Sequence, residues 1–141
     1  MELADAVSFA TSNRRSVLIT LRRDGRPQSS NVMHVVRGGT IEISVTDDRA
    51  KTRNARRDPR VSLHISAPDF WSYVVVDGTA ETMPVARRTD DETVAALVRY
   101  YREAAGEHPD WDEFRRVMVA EQRLLLRITP QRAYGMAPQS D

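Results

Sequence analysis

Two tight-turn dipeptides, Asp24-Gly25 and Gly38-Gly39, separate segments of strand-like sequence and constrain the fold more than any other feature. Strands joined by a tight turn run in opposite directions, because a parallel pair needs a crossover of about a dozen residues or more. Ser16–Leu21 is apolar and partly β-branched, and the return strand is expected over Gln28–Arg37. Thr40–Thr46 alternates, with Ile41, Ile43 and Val45 on one face and Glu42, Ser44 and Thr46 on the other. Val61–Ser66 alternates again, a longer strand is expected over about Trp71–Met83, and a last one over Leu124–Thr129.

Helical patterns fill the remainder. Leu3, Ala6, Val7 and Ala10 make one apolar stripe over Glu2–Thr11. Lys51–Asp58 reads as a short helix, with Asp47 or Asp48 near its start and Pro59 ending it. Thr89-Asp90-Asp91-Glu92 reads as a capping box, followed by a face of Val94, Leu97, Val98 and Tyr101, with Gly106 past its end. Asp110-Trp111-Asp112-Glu113 opens a further helix that runs to about Glu121. The predicted fold is α+β, mainly β: an antiparallel barrel with helices packed outside, in one domain over residues 1–141.

Composition narrows the chemistry. With no cysteine, neither disulfides nor thiolate metal sites are available. His34, His64 and His108 lack HExxH spacing, so no metal site is expected, and there is no GxSxG elbow, Walker loop or GxGxxG. No obvious nucleophile is present, so any chemistry is expected to be a cofactor's. The first residues carry Glu2 and Asp5 and no long apolar run, and no stretch approaches the ~20 apolar residues of a membrane span. A cytoplasmic protein with no membrane partner is expected.

The net charge is +1, yet six Arg and Lys stand against one Asp between Arg49 and Arg60. One short basic segment in a balanced chain suits a small anion better than nucleic acid. Near the start of a helix, unpaired amides and the positive end of the helix dipole already favour an anion. There Arg49 adds a planar fork and Lys51 a mobile point charge, which together can enclose a phosphate, and Asn54 lies one turn on. The same residues read equally as a solvated basic helix. In Phe70-Trp71-Ser72-Tyr73, Trp71 and Tyr73 are expected to share a strand face, where they can wall a planar ring or pack in a core or dimer contact. Asn31 and Ser44 offer polar groups to a ligand, or are simply exposed positions of a half-solvated sheet.

Several segments recur together: Asp24–Asn31, Arg49-Ala50-Lys51-Thr52-Arg53-Asn54, Arg57-Asp58-Pro59-Arg60, and Trp71-Ser72-Tyr73 with Gly78-Thr79-Ala80. Ala105–Trp111 and Tyr134-Gly135 complete the set. In this order and spacing they resemble the deazaflavin (F420)-dependent branch of the pyridoxamine 5'-phosphate oxidase-like split-barrel family, in particular its mycobacterial and other actinobacterial members. The resemblance covers nearly the whole chain. It implies a six-stranded split barrel that forms a homodimer, with coenzyme F420 at the subunit interface. Arg49 and Lys51 would hold the phosphate, with Ala50 and Asn54 supporting. Asn31, Val32, Met33 and Ser44 would line the deazaflavin, and Trp71 and Tyr73 would approach from the partner. The implied activity is hydride transfer between reduced deazaflavin and a small electron-poor substrate. FMN in the same site, or coenzyme binding without catalysis, are the alternatives. The oxidases proper carry a C-terminal Arg-x-His, whereas this chain has Arg132-Ala133-Tyr134-Gly135-Met136, which argues against oxidation of the vitamin.

Overall fold

A computed structural model of the chain describes residues 1–137. The elements in order are α1 (Leu3–Ser12), β1 (Arg15–Leu21), β2 (Pro27–Met33), β3 (Val35–Arg37), β4 (Thr40–Thr46) and α2 (Ala50–Arg57). They continue with β5 (Arg60–Ser66), β6 (Tyr73–Thr82), α3 (Glu92–Ala105), α4 (Trp111–Ala120) and β7 (Arg123–Met136). All strand pairs are antiparallel, in the order β2-β1-β5-β6-β7-β4-β3.

This is the expected α+β split barrel, with seven strands in place of six. The segment expected as one strand, Gln28–Arg37, breaks at His34: β2 pairs with β1, and β3 pairs with β4 at the opposite edge of the sheet. A continuous stretch of chain therefore joins the two edges and curls the sheet. β3 reaches only Thr40–Glu42 of β4, so the rest of that edge, Ile43–Thr46, faces the free edge of β2 across an open seam.

The alternation read from the sequence decides which side chains point inward. Ile41, Ile43, Val45, Val61, Leu63 and Ile65 fill the interior with Leu18, Val74, Val76, Leu124, Leu126 and Ile128. α1 adds Ala6 and Ala10 to this cluster, and α2 adds Ala55. α3 and α4 lie outside, packing Val94, Leu97, Val98, Phe114 and Met118 around Leu125. Among the described residues no helix is long and apolar enough to cross a membrane.

Several local expectations shift. The first hairpin has a three-residue loop, Arg23–Gly25, closed by the Arg22 N–H donating to the Arg26 carbonyl, with Gly25 at φ +87°. α2 starts one residue early, and its N-cap Arg49 makes no side-chain cap bond. Asp47 instead pairs with Arg56 at 2.6 Å, and Asp48 accepts from the Thr46 hydroxyl at 2.9 Å. α3 is capped by Asp91, not Thr89: one Asp91 oxygen accepts from the Val94 N–H at 2.8 Å while the other takes those of Arg87 and Arg88. A carboxylate serving three amides outcompetes a lone hydroxyl. β7 runs well past Thr129, the expected end of the last strand, and pairs Tyr134-Gly135 with Val75 and Val74.

The break at His34 has an internal cause. Its ring is fully buried, Nε2 donates to the Ala10 carbonyl at 2.9 Å, and Nδ1 accepts from the Ser16 hydroxyl at 2.7 Å. One neutral imidazole thus ties α1, β1 and the β2–β3 break together. Burial, with Arg14 nearby, holds its pKa below the ordinary value despite the backbone bonds that oppose this. The neutral form is favoured in the fold, so this stability is complete above the unfolded pKa and falls as pH drops from about 6.5 towards the lowered value. Urea midpoints measured from pH 8 to pH 5 should decline with a component absent in His34→Gln. A midpoint with equal pH dependence in both proteins would remove this role.

Candidate functional site

Among the described residues α2 is the only helix with no acidic residue in its first turn; α1 has Asp5, α3 has Glu92, and α4 has Asp112 and Glu113. In place of acids it carries Arg49, Lys51 and Arg53, although the positive end of a helix dipole disfavours cations. The amides of Ala50 and Lys51 donate to no backbone carbonyl among the described bonds. Lys51 is half-buried, and desolvation lowers its pKa, with the charges of Arg49 and Arg123 adding to the shift. Cationic charge and free N–H donors thus gather at one helix end, where neither Arg49 nor Lys51 makes an ion pair among the described residues.

This end of α2 is anchored to β4. The Thr46 carbonyl accepts from the Thr52 hydroxyl at 2.7 Å and from the Arg49 N–H at 3.3 Å. Ser44 points outward on the same strand, and its hydroxyl accepts from Arg123 at 3.3 Å. Across the seam, the Met33 carbonyl on β2 accepts from the Tyr100 hydroxyl of α3 at 2.8 Å. Tyr100 also lies near the Ser44 N–H, and burial raises its pKa, which keeps the phenol protonated.

The expected site residues therefore fall into separate groups. Arg49, Lys51 and Ser44 gather at the end of β4. Ala50 and Asn54 line a cavity of about 520 Å³ with Arg22, Arg23, Asp24, Arg53 and Arg57. Asn54 is itself buried, donating to the Thr20 hydroxyl at 3.2 Å and accepting from Arg57 at 3.1 Å, so its amide holds α2 onto β1. Asn31 and Met33 point to the outer face and line a cavity of about 480 Å³ with Val17, His64, Ser66 and Arg15. Val32 also borders this cavity, yet its side chain turns towards the barrel core.

Trp71 and Tyr73 do not share a strand face. Ala67–Ser72 forms a turn in which Asp69 accepts from the Ser72 N–H and hydroxyl, and β6 begins only at Tyr73. Trp71 projects from that turn with 77% of its surface exposed, and Tyr73 stacks on His64 at 5.2 Å between centroids. Tyr73 pairs with Ser66, whereas α2 leads into the other end of β5 at Arg60. At about 3.3 Å per residue this separates Tyr73 from the C-terminal end of α2 by roughly 20 Å. The N-terminal end follows Thr46, which pairs with Arg123 at the start of β7, whereas Tyr73 pairs with Met136 at its far end. Within one protomer, Trp71 and Tyr73 do not reach Lys51.

Sequence reasoning missed Arg123, Tyr100 and His64 as neighbours of these groups. Alternation over Val61–Ser66 could have placed His64 on the outer face; nothing local marks the other two.

The pyridoxamine 5'-phosphate oxidase family model matches residues 4–137. Among solved structures the chain is similar to an F420 reductase, with 22% identity over 90% of this chain and 94% of that one, and a TM-score of 0.69. It is also similar to a conserved hypothetical protein from Mycobacterium tuberculosis, at 24% identity over 100% and 91% of the two chains, TM-score 0.75. A heme-binding protein from Mycobacterium smegmatis shows 26% identity over 96% of this chain and 54% of its own, TM-score 0.70. With a family match that spans almost the whole described chain and an open-seamed antiparallel barrel, the protein belongs to the pyridoxamine 5'-phosphate oxidase family.

Proposed function

We propose that the protein is a cytoplasmic F420-dependent oxidoreductase acting on a small electron-poor substrate. The observation that carries this reading is the uncompensated cationic start of α2, with half-buried Lys51, beside an open barrel seam. Arg49, Lys51 and the free amides would take the phosphate, and Ser44 and the Asn31–Met33 edge would orient the ring. The likeness to an F420 reductase supports the choice of coenzyme. The bound deazaflavin would supply hydride chemistry, while the chain contributes binding, orientation and exclusion of water.

The reading includes a homodimer. Phe70, Trp71, Tyr134 and Met136 are 68%, 77%, 55% and 69% exposed, and Tyr73 and Met136 are paired, so these side chains gather at one end of β6 and β7. An apolar patch of this kind marks an interaction surface. A second copy would bring its Trp71 and Tyr73 to the start of α2, from which the protomer's own pair lies at the opposite end of β7.

Titration with F420 and with FMN, side by side, is the test, followed by turnover of reduced F420 with quinones, nitro compounds and enones. Micromolar or tighter F420 binding with turnover is expected. A yellow protein as purified, with flavin absorbance and no F420 binding, would assign the site to FMN, and binding without turnover would make it a coenzyme carrier. Sedimentation should give a dimer; a monomer at high micromolar concentration would remove the shared site.

A further inference from the structure

At the start of β7, Arg123 stands cross-strand to Thr46, the residue whose carbonyl anchors the beginning of α2. One of its terminal nitrogens donates to Ser44 Oγ at 3.3 Å, and its Nε donates to Glu121 at 2.6 Å. Arg123 is half-buried, and its charge is felt at both Lys51 and Tyr100. Of the other nearby acids, Glu42 pairs with Arg127 at 2.9 Å and Asp47 with Arg56 at 2.6 Å, while Asp48 accepts from the Thr46 hydroxyl at 2.9 Å. Arg123 therefore faces the same space as Arg49 and Lys51.

Glu121 is poorly placed for stability. It is the C-cap of α4, where the helix dipole disfavours an acid, and no basic residue lies in the last turn of that helix. The next residue, Gln122, holds φ +55°, a strained conformation for a non-glycine residue. Two unfavourable features thus coincide at the turn that delivers this carboxylate to Arg123.

We infer that Arg123 is a third cation of the anion site, and that Glu121 is a built-in competitor which the anionic group of the ligand displaces. This rests on the coenzyme reading above and extends it. With Glu121 displaced, Arg49, Lys51 and Arg123 together face the ligand, which suits a ligand end bearing more than one negative charge. A phosphate monoester meets that need, and so does a phosphodiester with a neighbouring carboxylate.

The test compares wild type, Glu121→Gln, Arg123→Gln and the double variant in titrations with FMN, F420 and riboflavin, which lacks the phosphate. Removing the competitor should tighten FMN and F420 about twofold to fivefold, the scale of a partly exposed ion pair, and leave riboflavin unchanged. Arg123→Gln should weaken both phosphate ligands about tenfold, the scale of a lost charged hydrogen bond, and the double variant should match it. A residue with only a structural role predicts the opposite sign for Glu121→Gln, since breaking its ion pair would loosen the site. Unchanged or weaker binding by folded Glu121→Gln overturns the inference. If Arg123→Gln fails to fold, Arg123→Lys combined with Glu121→Gln must still bind tighter than Arg123→Lys alone. Lys51→Ala separates the two ideas: loss of binding there with no gain in Glu121→Gln sinks this inference alone. Indifference of both variants sinks the coenzyme site itself.

Discussion

Replacing Lys51 with alanine is expected to weaken coenzyme binding by about 1–3 kcal/mol, the scale of a lost hydrogen bond to a charged group. Quenching of coenzyme fluorescence measures it directly, and unchanged affinity would remove Lys51 from the site. The same substitution should leave the thermal midpoint of the free protein unchanged or raise it. Burial and the charges of Arg49 and Arg123 lower the pKa of Lys51, so its ammonium is disfavoured in the empty fold. That penalty is present below the lowered pKa and relieved as pH rises towards the unfolded value. An anion reverses the balance, because it favours the charged form. Affinity should accordingly fall as pH climbs through the lowered pKa, and Lys51→Ala should lack that component. A variant that loses stability and affinity together would instead mark Lys51 as a packing residue.

Gly78→Ala should cost about 3 kcal/mol or more, at the upper end of overpacking effects. The register of β6 against β7 shifts between Asp77 and Gly78, so the strand carries an irregularity there. A Cβ on Gly78 would lie 2.5 Å from the Thr129 carbonyl oxygen and 2.7 Å from a methyl of buried Ile128. Neither neighbour is the free end of a flexible side chain, so the two strands must move apart. Gly25→Ala supplies the contrast. Its Cβ would meet nothing within 4 Å, and only the positive φ of +87° opposes the change, at about 1 kcal/mol. Urea unfolding of the two variants measures the difference. A Gly78→Ala loss no larger than that of Gly25→Ala would mean the irregularity relaxes freely. Beside the irregularity, Asp77 accepts from the Ser62 hydroxyl at 2.6 Å and from Arg132 at 2.9 Å, so the loss should extend to the outer face of the sheet.

The proposed anion site divides in the same way between local and distant causes. The position of Arg49 and Lys51 at a helix start was legible because a cationic helix start is a local contradiction, visible wherever the helix begins. Asn54 was legible as a position and not as a contact: its amide turns inward to Thr20, a residue of β1 brought there only by the docking of α2. Trp71 failed the face argument because the strand starts two residues later, after the turn built on Asp69.

By itself the sequence determined that the strands pair antiparallel, which strand residues face inward and outward, and where the cationic segment lies. Each of these depends on neighbours within a few residues, through turn geometry, the two-residue period of a strand and the ends of a helix. The tertiary structure alone decided that one expected strand breaks at His34 and serves both edges of the sheet. It also decided that Arg123 meets Ser44 across 79 residues of chain, and that Tyr100 reaches Met33 across 67. Such meetings depend on how far the sheet curls before its edges approach, which is set by the packing of the whole interior and leaves no mark on any short stretch of residues.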